Sequence, residues 1–264
     1  MQSILKTIVF FILSAFILGL FSGCASTTKK IPIREIDRPI NMPAGIKQVS
    51  TDFFYEYFKY FDKTWAIIWP ILHPDIAYAV TDKITFTSLP FPVIQYQFYG
   101  SNFTAGDTVK TPDLALALIG GLTSNAIVQG NYYMVRPQLG IIGKKILNKN
   151  LWLSFKIEGQ TTNSDVLLGG VDSKLGYQLG TRNSINVGLD FGAFKTISKK
   201  IDDYVWSENQ GHSGLWLNVP IGWELNATSW CSIAVNIGEG LGYINNKIQV
   251  SNQPFTSGAL RFIW

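Results

Sequence analysis

Between Ile185 and Gly192 apolar and polar residues exchange at every step, with Ile185, Val187, Leu189 and Phe191 on one parity and Asn186, Gly188, Asp190 and Gly192 on the other. Successive side chains on an extended strand point to opposite faces, so this order makes one greasy face and one polar face. The rhythm returns along the chain. Leu151, Leu153, Phe155 and Ile157 alternate with Trp152, Ser154, Lys156 and Glu158, and the odd positions from Leu215 to Leu225 alternate with Trp216, Asn218, Pro220, Gly222 and Glu224. Cys231, Ile233, Val235 and Ile237 oppose Ser232, Ala234, Asn236 and Gly238, while Val135, Leu139 and Ile141 oppose Arg136, Gln138 and Gly140. Weaker examples run through Ile94, Tyr96 and Phe98 and through Leu114, Leu116 and Leu118. The chain therefore reads as all-β.

Alternation alone serves a soluble sandwich equally well, because its strands also carry one apolar face. The polar face decides between the two. It bears Gly188, Gly192, Gly222, Gly238, Asn186, Asn218 and Ser232, small neutral residues that suit a crowded interior better than a wetted surface. Only 15% of the residues are charged, against about 25% in ordinary soluble domains. The apolar face is then expected to meet lipid. Short turns at Thr81-Asp82-Lys83, Thr123-Ser124-Asn125, Gly180 to Ser184 and Asn226 to Ser229 separate the strands on one side. Longer polar loops at Gly100 to Pro112, Thr161 to Asp165, Ile197 to Ser213 and Gly240 to Gln253 are expected on the other. That asymmetry belongs to membrane barrels, whose short turns face the periplasm.

Two segments carry a class-level resemblance. Tyr78-Ala79-Val80-Thr81-Asp82-Lys83-Ile84-Thr85-Phe86 resembles the strand, Thr-Asp-basic turn, strand unit of Gram-negative outer-membrane β-barrel proteins. Gly258-Ala259-Leu260-Arg261-Phe262-Ile263-Trp264 is similar to the C-terminal signal read by the barrel-assembly machinery, with aromatics last and third-last and Gly258 one place off its commonest position. The resemblance implies an antiparallel up-and-down transmembrane β-barrel in the bacterial outer membrane, with outer-membrane lipid and the assembly machinery as partners. Counting segments of spanning length gives about ten to twelve strands. The higher count needs strands from Trp65 to Leu72 and around Leu89-Pro90-Phe91-Pro92. Such a barrel is narrow, since a roomy aqueous pore needs about sixteen strands.

Ahead of the barrel, expected over 74–264, three segments are expected. Residues 1–23 form a secretory signal with an apolar core from Ile8 to Phe21, and Ser22-Gly23-Cys24 resembles the lipobox of bacterial lipoproteins, with Phe21 where Leu is commonest. That resemblance implies lipidation of Cys24. Residues 24–50, punctuated by Pro32, Pro39 and Pro43, read as an extended lipid-anchored tether. Residues 51–73 read as an amphipathic aromatic segment, a helix from Asp52 to Lys63 with Glu56, Lys59 and Lys63 on its polar side.

The chemistry-bearing residues are few. A net charge of +4 with no long basic run excludes nucleic acid as a natural partner. Cys24 and Cys231, His73 and His212 form no metal-ligand spacing, and no cofactor is expected. Cys231 sits on an apolar face and reads as a small hydrophobe. His212 and Ser213 with Glu208 supply the residue types of a hydrolase, but neighbours on a strand point to opposite faces. Tyr204 and Trp206 lie in a long loop suited to recognition. With the apolar face outward, Arg136, Lys156, Glu158, Lys174, Asp190, Glu224 and Arg261 point inward. They make either a polar path for a small solute or a network of neutralised charges filling the barrel. Three functions follow: a narrow channel or solute-transport barrel, a non-enzymatic surface-interaction barrel acting through its loops, and, third, a lipid-modifying enzyme. The expectation is that the chain is not an enzyme.

Overall fold

A computed structural model describes residues 30–60, 63–69, 74–87, 93–105, 108–127, 132–162, 166–196, 213–244, 247–250 and 255–264. The signal segment, Cys24, His73, Tyr204, Trp206, Glu208 and His212 lie outside the described residues. After a short 3-10 turn at Glu35–Asp37 the chain is built of strands. The first half contributes β1 (Lys47–Tyr60), β2 (Lys63–Trp69), β3 (Pro74–Thr81), β4 (Ile84–Thr87), β5 (Val93–Tyr99), β6 (Phe103–Ala105), β7 (Thr108–Lys110) and β8 (Leu114–Ile127). The second contributes β9 (Tyr132–Ile146), β10 (Leu151–Thr162), β11 (Val166–Leu179), β12 (Asn183–Thr196), β13 (Ser213–Asn226), β14 (Cys231–Ile244), β15 (Lys247–Val250) and β16 (Phe255–Ile263).

Twelve of these strands close into one antiparallel barrel. Around the wall the order is β1, β3, β4, β5, β8, β9, β10, β11, β12, β13, β14 and β16, and β16 pairs back onto β1 from Gln48↔Ile263 to Tyr55↔Thr256. Closure leaves no edge to protect. β2 extends the far half of β1 as a hairpin, β15 does the same on β14, and β6 with β7 forms a separate two-stranded ribbon. Among the described residues no helix is long and apolar enough to cross a membrane.

The alternating pattern assigns the faces. Ile185, Val187, Leu189, Phe191, Ile221, Ile233 and Ile237 all lie exposed on the outer wall, whereas Ser184, Glu224 and Ser232, one residue away in parity, are buried inside. Tyr78, Tyr99, Tyr177 and Trp230 stand exposed on the outside close to the turns, where interfacial aromatics belong. Trp230 stacks on Phe262 with ring centroids 6.4 Å apart. Some inward positions are glycine because a neighbour needs the space. A Cβ at Gly176 would lie 2.2 Å from the Trp152 ring, and one at Gly192 would lie 2.0 Å from that of Trp216.

Four expectations need correction. The aromatic segment from Asp52 is strand, not helix: β1 finds three partners, β3 and β16 at its start and β2 along its far half, and ladder pairing along its whole length outweighs a helical spacing of three charges. The barrel consequently begins at Lys47 and not at residue 74. Thr123-Ser124-Asn125 lies within β8, whose pairing with β9 continues through Asn125↔Met134. The connection from Gly100 to Pro112 sits on the same side as the short turns, because β5 runs back from Val93, opposite Thr87, to Tyr96, opposite Ile84 beside the Asp82-Lys83 turn. The fourth correction concerns the tether.

Candidate functional site

The proline-punctuated segment does not hang free. From Ile31 to Ile46 it folds across the turn-side mouth of the barrel, with Ile31, Ile36, Arg38, Asn41, Pro43 and Ile46 buried. Proline suits this position. It has no N–H to leave unsatisfied where water is excluded, and it holds the backbone extended. Gly45, at φ 85°, makes the bend that delivers the chain into β1, and its N–H donates to the Ala79 carbonyl at 2.8 Å.

Contacts to the wall run around much of the circumference. The Ile36 N–H donates to Gln178 Oε1 of β11 at 3.2 Å, and Arg34 Nη2 donates to the Lys149 carbonyl in the β9–β10 turn at 2.6 Å. Across the mouth, Gln95 Nε2 of β5 donates to the Ile40 carbonyl at 2.7 Å and to Asn41 Oδ1. Asn41 Nδ2 donates to the Lys83 carbonyl at 2.6 Å, and the Ala44 N–H to Asp82 Oδ1 at 2.8 Å. The β6–β7 ribbon is tied on by the Val109 N–H donating to the Lys30 carbonyl and the Thr111 N–H to that of Asp37, each at 2.9 Å. At the strand ends Ile31, Ile46 and Ile263 form a small apolar core with Met42 against it.

At the centre of the plug lies a buried charge cluster. Lys144 of β9, 5% exposed, donates from Nζ to the carbonyls of Glu35, the first residue of the 3-10 turn, at 2.6 Å and of Arg38, just beyond its end, at 2.9 Å. The cation adds to the turn's own bond, in which the Arg38 N–H donates to the Glu35 carbonyl at 3.1 Å. Arg38 approaches Glu35 at 3.5 Å and Glu224 of β13 at 3.9 Å, and Arg261 of β16 approaches Glu224 at 3.4 Å. Burial pushes the Glu35 carboxyl upward, but Arg38, Lys144 and Arg261 outweigh it and hold Glu35 below its ordinary value. Burial also lowers the Arg38 guanidinium, opposed by Glu35 and Glu224. Removing one partner of such a cluster strands a charge away from water, which is what makes it stiff.

The opposite end differs. There the lumen widens into a cavity of about 1270 Å3 lined by Gln138, Gln160, Leu168, Phe194 and Gly214 among others. The inward charges placed by the alternation divide between the plug and the middle of the lumen. Glu224 and Arg261 belong to the plug cluster. Lys156 meets Glu158 at 2.6 Å and Lys174 meets Asp172 at 3.7 Å, in pairs with side chains 23% to 43% exposed. Asp190 accepts hydrogen bonds from Trp216 Nε1 at 3.2 Å and Asn218 Nδ2 at 2.9 Å. The backbone of Arg136 lies in β9, and its side chain is outside the described residues. Among the described residues no group of three or more acidic, histidine or cysteine side chains is placed to hold a metal.

Sequence reasoning missed Glu35, Arg38, Lys144 and Gln178. For Lys144 a signal existed, since it shares parity with Gln138 and Gly140 and so belongs to the inner face. For the plug the signal was a series of isolated apolar residues, Ile31, Ile33, Ile36, Ile40 and Met42, too many for a solvated tether.

No protein-family model matches the chain, and no curated protein matches it. Solved structures do. The in-vitro folded outer-membrane protein OmpT of Vibrio cholerae aligns at 11% identity and a TM-score of 0.40, covering 83% of this chain and 96% of its own. A loop L8 deletion mutant of that protein aligns at 10% identity and a TM-score of 0.41, covering 83% and 98%. At that level of likeness neither lends this chain a ligand or an activity.

Proposed function

We propose that this chain is a bacterial outer-membrane barrel whose lumen ends blindly at the turn side, and that it binds at its opposite end without passing solutes freely. The observation that carries this reading is the seal: Ile31 to Ile46 of the same chain cross the mouth on hydrogen bonds to β5, β9, β11 and the β3–β4 turn. The largely apolar outer wall and its aromatic fringe support the membrane location. The cavity beyond the plug offers an open, mostly neutral chamber to a small solute or to a partner's loop.

A gated passage is the second reading, favoured by the polar character of the seal. A plug held by Arg38, Glu35 and backbone carbonyls regains water when it leaves, whereas a greasy plug gives up buried area. Planar-bilayer recording separates the two. The blind chamber predicts no steady current from the intact chain at neutral pH, and open channels in that preparation would overturn it. Membrane location predicts heat-modifiable migration on gels, and a chain fully soluble without residues 1–24 would refute it. The absence of catalysis predicts unchanged lipid A in a strain lacking the chain. Acylation at Cys24 predicts that a fatty-acid label is lost in Cys24→Ser.

A further inference from the structure

We infer that the turn-side rim over β9 to β12 is a binding surface for the headgroups of anionic phospholipids. The inference rests on the membrane reading above and adds a lipid specificity to it. Lys145 is exposed on the outer wall, opposite Leu114 of β8 and Leu153 of β10. Tyr177, exposed on the same wall, lies one outward position nearer the turns, opposite Leu151. A lysine set inside the level of an interfacial tyrosine has one way to keep its ammonium hydrated: its aliphatic stem lies along the wall and the Nζ reaches back to the headgroups.

Two more cations lie in turns of the same rim. Lys149, in the β9–β10 turn, and Arg182, in the β11–β12 turn, are both exposed, and Lys110 lies on the neighbouring ribbon. Among the described residues none of the four enters an ion pair with an acidic side chain. Asp113, at the start of β8, is the acid exposed on this arc, leaving it a net three positive charges. An acidic soluble partner could reach Lys149 and Arg182 from below. It could not reach Lys145 on the lipid-facing wall, so a headgroup already held in the bilayer is the ligand that fits all three. Short turns face the periplasm, which puts this rim in the phospholipid leaflet.

The test uses the full-length barrel in nanodiscs of phosphatidylcholine and phosphatidylglycerol, with trace spin-labelled lipid of either kind to read the relative association at the protein boundary. Phosphatidylglycerol is expected to associate more strongly, and the preference is expected to fall as salt rises. Each surface cation contributes about a fivefold preference at most. The triple variant Lys145→Gln, Lys149→Gln, Arg182→Gln is expected to lose the preference, while Lys195→Gln, exposed at the other end of β12, keeps it. Equal association of both lipids with the unaltered chain would overturn the inference. So would an undiminished preference in the triple variant, or an equal loss in Lys195→Gln. Heat-modifiable migration of each preparation separates loss of the barrel from loss of the lipid preference.

Discussion

The two ends of one lumen are lined by the same strands and the same parity of residues, yet they behave as different materials. At the turn side Lys144, Glu224 and Gln178 are 5%, 9% and 1% exposed and are committed to the plug. Where the plug does not reach, midway along the lumen, Lys156, Asp172 and Lys174 keep 40% or more of their side-chain surface in their ion pairs. Alternation decides only that a residue points inward. Whether it meets water or another part of the chain is set by the sixteen residues from Ile31 to Ile46, and the energetic weight of a charge follows from that.

The sharpest way to break this contrast is to remove its cause. Excising residues 31–44 is expected to turn a chain that carries no steady current into one that conducts in planar bilayers, making the two ends alike; a silent barrel after excision would mean that something besides the plug blocks the lumen. Next in size, Glu224→Leu leaves Arg38 and Arg261 facing each other without their shared carboxylate. It is expected to lower stability in detergent by about 3 kcal/mol, read by denaturant unfolding.

Acid acts on the same cluster. Because the folded Glu35 carboxyl lies below its ordinary value, its contribution is fully present above about pH 4.3 and is lost as pH falls through the depressed value. The facing groups Arg38, Lys144 and Arg261 stay cationic through this range, so protonation leaves them to repel one another. Proteolysis within residues 31–44 is therefore expected to quicken in strong acid. Glu35→Gln should flatten that dependence, and an unchanged acid response in the variant would reject Glu35 as its source.

A finer comparison uses two glycines. Gly176→Ala drives a methyl into Trp152, which is buried beneath the plug with the Lys144 ammonium 5.7 Å from its ring centre. Gly192→Ala meets Trp216, which is half-buried and two residues along β13 from Gly214 of the cavity wall. Overpacking of about 1 to 3 kcal/mol is expected at the first site and less at the second, where the indole can swing aside. Equal losses would show that the cavity wall is as rigid as the seal. Smallest of all, Lys174→Gln removes a pair that is about two-fifths exposed on both sides and should change stability by less than about 0.5 kcal/mol.

Much of the barrel was legible because a period of two is local. Ile185 and Ser184 reveal their faces without reference to anything distant, and Trp264 and Phe262 mark the last strand by position alone. The aromatic run from Phe53 to Tyr60 is less legible: three charges at helical spacing are a local cue, and what outweighs it is ladder pairing to β2 and, two hundred residues away in sequence, to β16. The candidate site was less legible. Glu224 and Arg261 could be placed inside, but their neighbour Arg38 belongs to a stretch whose prolines and lack of period also describe a solvated linker.

By itself, then, the sequence determined that the chain is a closed antiparallel barrel with its apolar residues outward, because strand geometry converts alternation into faces wherever the strand ends up. It also pointed to a crowded interior, through the small neutral residues of the polar face; that Gly176 and Gly192 stand opposite tryptophan was decided by register. Only the tertiary structure decided that one end is sealed and the other is a chamber. That outcome depends on hydrogen bonds such as Ile36 to Gln178 and Lys144 to Glu35, whose partners are 142 and 109 residues apart and leave no mark in any local pattern.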